Sequence, residues 1–100
     1  MNERPTTATV KLEEPIERGE EKITELTLRR PDAGSLRGLS LAELIKMDAG
    51  AVAALLPRIT MPPLIAAEVD KLDPADLFAC AVEVSTFFMK REELAAFPTT

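Results

Sequence analysis

The chain has 100 residues, carries a formal net charge of −5, and is 46% hydrophobic and 29% charged. That length fits one domain, and the composition is that of a globular chain rather than a disordered tail. Seventeen acidic residues against twelve basic ones, with no basic arm in either half, argue against nucleic-acid binding, which draws on a basic surplus. Cys80 is the single cysteine, so no intramolecular disulfide forms, and no apolar run reaches membrane-spanning length. The N-terminal stretch has no apolar signal core. A soluble protein of a reducing, intracellular compartment is expected. A core this small leaves a thin stability margin, so association with a partner or a second copy would help.

Residues 1–6 are polar and read as a flexible end. TATVKLEE then alternates, with Ala8, Val10 and Leu12 on one face and Thr7, Thr9, Lys11 and Glu13 on the other. That is the pattern of a half-buried strand. PIERGEE is punctuated by Pro15 and Gly19, and KITELTLR resumes the alternation with Leu26 and Leu28 inward. Ile23 is out of phase, which predicts a bulge or a residue still in the turn. Residues 7–30 are therefore expected to form an antiparallel hairpin with a loop of several residues. Pro31 ends it, and PDAGSLRG reads as an irregular loop.

From residue 40 the period becomes helical. SLAE is a capping box, Ser40 to Glu43, opening a short helix with Leu41, Leu44 and Ile45 as its face. Asp48 caps a second helix whose stripe is Val52, Leu55, Leu56 and Ile59, closed by Pro57 and RITMPP. Thr60 or Met61 is expected to cap a third, with Pro62 near its first position and Ile65, Val69 and Leu72 as its face. Asp73 and Pro74 start the last and longest helix, DPADLFACAVEVSTFFMKREE, with Asp76 near the positive end of its dipole and Lys90 and Arg91 at the other end. The expected fold is α+β: one domain, a hairpin at 7–30, a bundle of three to four helices over 40–91, and a flexible tail at 92–100.

Little in this chain points to catalysis. There is no histidine, so the commonest general base and metal ligand are missing. Cys80 lies among Ala79, Ala81 and Val82 with no activating base in view, and reads as a small core residue. GSLRG lacks the Lys and Ser/Thr of a phosphate loop. Arg29 and Arg30 read as strand-end charges that balance Glu13, Glu14 or Asp32. No enzyme, cofactor or metal site is expected.

The informative feature is apolar. On the last helix Leu77, Ala81, Val84 and Phe88 form one stripe and Phe78, Val82 and Met89 another, with Cys80 and Phe87 widening the first. Such a helix is either buried on several sides or offers one stripe to a partner. Burial is favoured for Leu77, Ala81 and Val84. Phe87, Phe88 and Met89 stand evenly between core and interface, where aromatics and Met are enriched. The expected partner contacts are Phe78, Val82, Phe87, Phe88 and Met89. The hairpin offers a second opportunity, because an open strand edge accepts another strand.

The order of these features resembles the small tail assembly chaperones of Mu-like phages and prophages. The resemblance rests on VKLEEPIERGEEKITELTLRRPDAGSLRGL, ALLPRIT and KLDPADLFACAVEVSTFF, covers residues 8–89, and departs from the family pattern at Pro62-Pro63. It implies a non-enzymatic protein of the host bacterial cytoplasm. Such a protein coats the long, helical tape measure protein, keeps it soluble, and hands it to the tail tube protein as the tail polymerises. It also implies that a longer frameshifted product often accompanies the short one. The alternative is a tail or baseplate component that stays in the virion.

Overall fold

A computed structural model describes residues 6–90 and Glu93. The flexible ends expected at 1–6 and 92–100 lie almost wholly outside these residues, and so does Arg91. The order is strand β1 (Thr7–Arg18), strand β2 (Glu21–Arg29), a 3-10 turn (Ala33–Leu36), helix α1 (Leu41–Ile45), helix α2 (Ala49–Ile59), strand β3 (Thr60–Met61), helix α3 (Ala66–Asp70) and helix α4 (Pro74–Phe87). The fold is α+β, a small antiparallel sheet followed by four helices.

The hairpin is longer and tighter than its sequence predicts. β1 runs through Pro15 to Arg18, and the turn is only Gly19-Glu20, with Arg18 paired to Glu21. Gly19 has φ +61, so the turn follows the type II′ pattern, in which glycine takes the first central position. The strand continues through Pro15 because a wide bulge relieves it of ladder bonds there. Lys11 pairs with Glu25, but the next pair is Ile16 with Ile23. Residues 12–15 thus face Thr24 alone. A bulge is one of the few places inside a sheet that tolerates proline. It also explains the phase of Ile23, which pairs with Ile16 after the register restarts, and both side chains are buried.

A third strand was not expected. Thr60 pairs with Leu28 and Met61 with Thr27, giving the sheet order β1-β2-β3. Thr60 is therefore not a helix cap. Its buried hydroxyl accepts a hydrogen bond from the Leu64 N–H at 3.1 Å. Helix α3 starts only at Ala66, where the Glu68 carboxylate reaches back to accept the Ile65 N–H at 3.1 Å. The Met61–Pro62 peptide is cis.

The other caps fall where the sequence puts them. Ser40 accepts from the Glu43 N–H, Asp48 from Ala51, and Asp73 from Ala75. Pro57 does not end α2, which runs on to Ile59; so near the C-terminus it forfeits one backbone bond, and Val52, Leu55, Leu56 and Ile59 are all buried. Helix α4 stops at Phe87, earlier than expected, and Lys90 lies beyond it. The loop after β2 contains a 3-10 turn capped by Asp32. Arg58 pins it by donating to the carbonyls of Ser35 (2.9 Å) and Arg37 (2.8 Å). Arg29 donates to the Arg58 carbonyl at 3.1 Å and the Ser35 hydroxyl at 3.3 Å.

One core joins sheet and helices. Val10, Leu26, Leu28, Leu44, Leu55, Leu56, Ile59, Cys80 and Val84 pack in it, with Phe87 closing one end. Helix α4 lies against β1, and Asp76 fastens the two. The Glu13 N–H donates to Asp76 Oδ1 at 2.7 Å and the Glu14 N–H to Oδ2 at 3.1 Å. Asp76 is buried, yet both oxygens are satisfied by the two amides that the bulge releases from the ladder.

Candidate functional site

The apolar residues of α4 separate by face. Cys80, Ala81, Val84 and Phe87 recur at helical spacing and are buried against the sheet and α2. Phe78 and Val82, one turn apart, point away and are 60% and 39% exposed. Phe88 and Met89 are half-buried just past the end of the helix, with Phe88 packed on the core.

This placement sorts the five expected partner contacts. Phe78 and Val82 stand on an open face. Phe87 is a correction: only 4% exposed, it is a core side chain, because position 87 continues the inward stripe of Cys80 and Val84. Phe88 and Met89 lie at the opposite end of α4 from Phe78. The structure does not gather the five into one patch.

Other large apolar side chains are exposed on α1 and in the turn after it. Helix α1 has room for one inward apolar residue per turn, and Leu44 takes it. Leu41 and Ile45, expected on its buried face, are 54% and 61% exposed. Met47 follows in the left-handed region, φ +60. Its N–H donates to the Leu44 carbonyl (3.0 Å) and the Asp48 N–H to the Glu43 carbonyl (2.9 Å). That is a Schellman closure of α1 with methionine at the position glycine usually holds. Such a conformation costs a non-glycine residue about 1–2 kcal/mol. Here it aims Met47 at α4. Met47, Ala49 and Val52 form one wall of a groove of about 160 Å³, and Pro74, Leu77, Phe78 and Ala81 form the other. Leu41, Ile45, Met47, Phe78 and Val82 thus lie on α1, the turn after it, and α4, elements that pack together. Singly exposed apolar residues are ordinary, but Met47 and Phe78 are exposed and line this groove, which makes it the candidate binding surface. Leu41 and Ile45 were overlooked because their spacing suits an inward face. The available signal was that a five-residue helix cannot bury three large side chains at once.

The polar features are structural. A larger open cleft between the end of β1 and α3, about 670 Å³, is lined by Glu14, Glu17, Ile65, Glu68 and Lys71 among others. Its central carboxylate is committed: Arg18 Nε and Nη2 donate to the two Glu68 oxygens at 2.9 and 2.8 Å, and Nη2 also to the Pro63 carbonyl at 2.8 Å. The Arg18 hydrogen bonds, followed by the Ile65 amide, hold the Glu68 carboxyl down at about 2. This bidentate pair braces α3 against the hairpin. Burial, assisted by Asp76 and Glu83, pushes the Cys80 thiol up to about 11, so it is a poor nucleophile. Among the described residues no group of three or more acidic, Cys or His side chains is placed to hold a metal ion, and no helix is long and apolar enough to cross a membrane.

The molecule is a small α+β domain with exposed apolar side chains on α1 and α4. Residues 9–89 match the family model described as phage tail assembly chaperone proteins, E, or 41 or 14, and the chain belongs to that family. It is 39% identical over 89 residues to tail assembly protein E′ of Escherichia phage P2, covering 89% of this chain and 63% of that protein. It is 42% identical over 78 residues to tail assembly protein E of the same phage, covering 78% of this chain and 86% of the relative. The chain therefore spans less than two thirds of E′ and most of E. No solved structure matches it. Membership places the chain among the phage tail assembly chaperone proteins.

Proposed function

We propose that this protein is a non-enzymatic tail assembly chaperone of the host bacterial cytoplasm. It binds the tape measure protein and keeps it soluble until the tail tube polymerises around it. The observation that carries this reading is the groove between α2 and α4, lined by the exposed Met47 and Phe78, with Leu41, Ile45 and Val82 also exposed on α1 and α4. A long helical client presents repeated apolar stripes, and a groove walled by two helices suits one such stripe. The net charge of −5 keeps the loaded complex in solution. Phe78 and Val82 are the principal contacts on α4, and Phe88 and Met89, half-buried at its far end, form a separate, lesser contact. The tail tube protein is the receiver of the client.

The test is co-expression of the tagged chain with the tape measure protein encoded beside it. Soluble co-elution is the expected result, and its loss in a Phe78→Ser, Val82→Ser double variant with unchanged circular dichroism would locate the contact. A client that stays insoluble while this chain elutes alone would overturn the reading.

A further inference from the structure

β1 forms an edge of the sheet, and among the described residues no strand pairs with its outer side. The Arg30 N–H donates to the Thr6 carbonyl at 2.8 Å, and residues 7–11 then pair with 29–25 in unbroken register. In an antiparallel ladder, pairs that exchange both bonds recur at every second position. Ala8 and Val10 therefore turn their backbone polar groups toward Leu28 and Leu26, as Thr6 does toward Arg30. Thr7, Thr9 and Lys11 turn theirs outward. The next outward N–H, that of Glu13, is already taken by Asp76. On the other side, position 5 is proline, which carries no N–H. This window of β1 is short, straight and bounded at both ends, and it holds one charged residue, where a protected edge carries several.

We infer that this window pairs with the same window of a second copy, antiparallel about a two-fold axis through Thr9. Thr9 then faces its own counterpart and Thr7 faces Lys11, so every outward N–H and C=O of the window gains a partner. The arrangement is isologous, with the same patch on both copies. No like charges oppose each other, and a threonine pair is a favourable cross-strand combination. The product is one continuous sheet of two copies. The inference does not depend on the chaperone reading, since it uses neither the groove nor α4.

Solution mass of the full chain, measured by light scattering at micromolar to millimolar concentration, is the test. The native chain is expected at twice the chain mass. Thr9→Pro removes only an outward N–H and leaves the β1–β2 bonds intact, so it should halve the mass while keeping the native circular dichroism. Ala8→Pro removes an N–H directed at β2 and should unfold the hairpin. Thr9→Cys provides a second readout: under mild oxidation it should cross-link into covalent dimers, with buried Cys80 silent. A native chain that is monomeric throughout overturns the inference. So does a dimer that survives Thr9→Pro and fails to cross-link through Thr9→Cys. Should Thr9→Pro fail to fold, the cross-link decides.

Discussion

Replacing Asp76 should cost more than any other single polar change among the described residues. Its carboxylate accepts the Glu13 N–H at 2.7 Å and the Glu14 N–H at 3.1 Å, and it is 3% exposed. Hydrogen bonds to a charged partner contribute about 1.5–3 kcal/mol each, and a stranded buried donor costs about 1–3 kcal/mol. Asp76→Ala loses both bonds and leaves two amides without their acceptor at a part-buried junction, so about 3–5 kcal/mol is expected. Set against a total of about 5–15 kcal/mol for a domain, that brings the chain near its threshold. Asp76→Asn keeps one acceptor but presents an amide N–H₂ to the second donor, and should fall between, at about 2–3 kcal/mol. Urea titration followed by circular dichroism measures the loss, with the slope unchanged if the denatured state is unaffected. Amide exchange adds a local readout: Glu13 and Glu14 should be protected in the native chain and exchange freely in Asp76→Ala. A loss under about 1 kcal/mol with those amides still protected would mean that water satisfies the bulge, and the account of the β1–α4 junction would be wrong.

Further outcomes follow from the same geometry. The Glu68 carboxyl titrates at about 2 in the folded chain against an ordinary 4.5, so its contribution to stability is present above pH 4.5 and drains away as pH falls toward 2. Glu68→Gln should flatten the acid limb of the pH–stability curve in that window, and an unchanged limb would show that the Arg18 brace is idle. Phe87→Ser should destabilise by at least about 3–5 kcal/mol, the usual cost of truncating a buried phenylalanine, whereas Phe78→Ser should leave the melting temperature nearly unchanged. Met47→Gly relieves the left-handed backbone strain and should hold or raise stability, yet it removes one wall of the groove and should weaken client binding in the same pull-down. Cys80 should resist a thiol reagent at pH 8 until denaturant unfolds the chain. Mass spectrometry of purified virions should find the chain absent; its presence in stoichiometric amount would favour a structural tail component.

Local signals were legible in the sequence, and long-range ones were not. Ser40, Asp48 and Asp73 announce their helices because capping is an exchange between side chain and backbone a few residues apart. The stripe of α2 is equally plain. β3 could not be read from Thr60 and Met61, because two residues carry no periodicity, and their strand conformation exists only through Leu28 and Thr27. Asp76 reads as a dipole-favoured first-turn acid. Its partners lie in the first strand and become visible only when the bulge brings them close. The site was half legible for the same reason. Helical spacing assigns Phe78 and Val82 to one face, but which face meets solvent depends on what packs on the other. Phe87 belongs to the inward stripe, and Met47 joins the groove through a backbone conformation that its residue type does not announce.

The brevity of β3 has a consequence for how copies of this chain accumulate. It covers only the Thr27–Leu28 stretch of β2, and after it come Pro62 and Pro63, two residues with no amide hydrogen to offer a further strand. The two margins of the sheet are thus unlike: one offers five residues in unbroken register, and on the other the third strand ends after two residues at a pair of prolines. Strand addition at the β1 margin ends with that event, because a two-fold pair uses the same margin of both copies. Fibre growth requires two receptive margins per subunit. A protein that exposes several large apolar side chains is in this way denied the commonest route to becoming an aggregate itself.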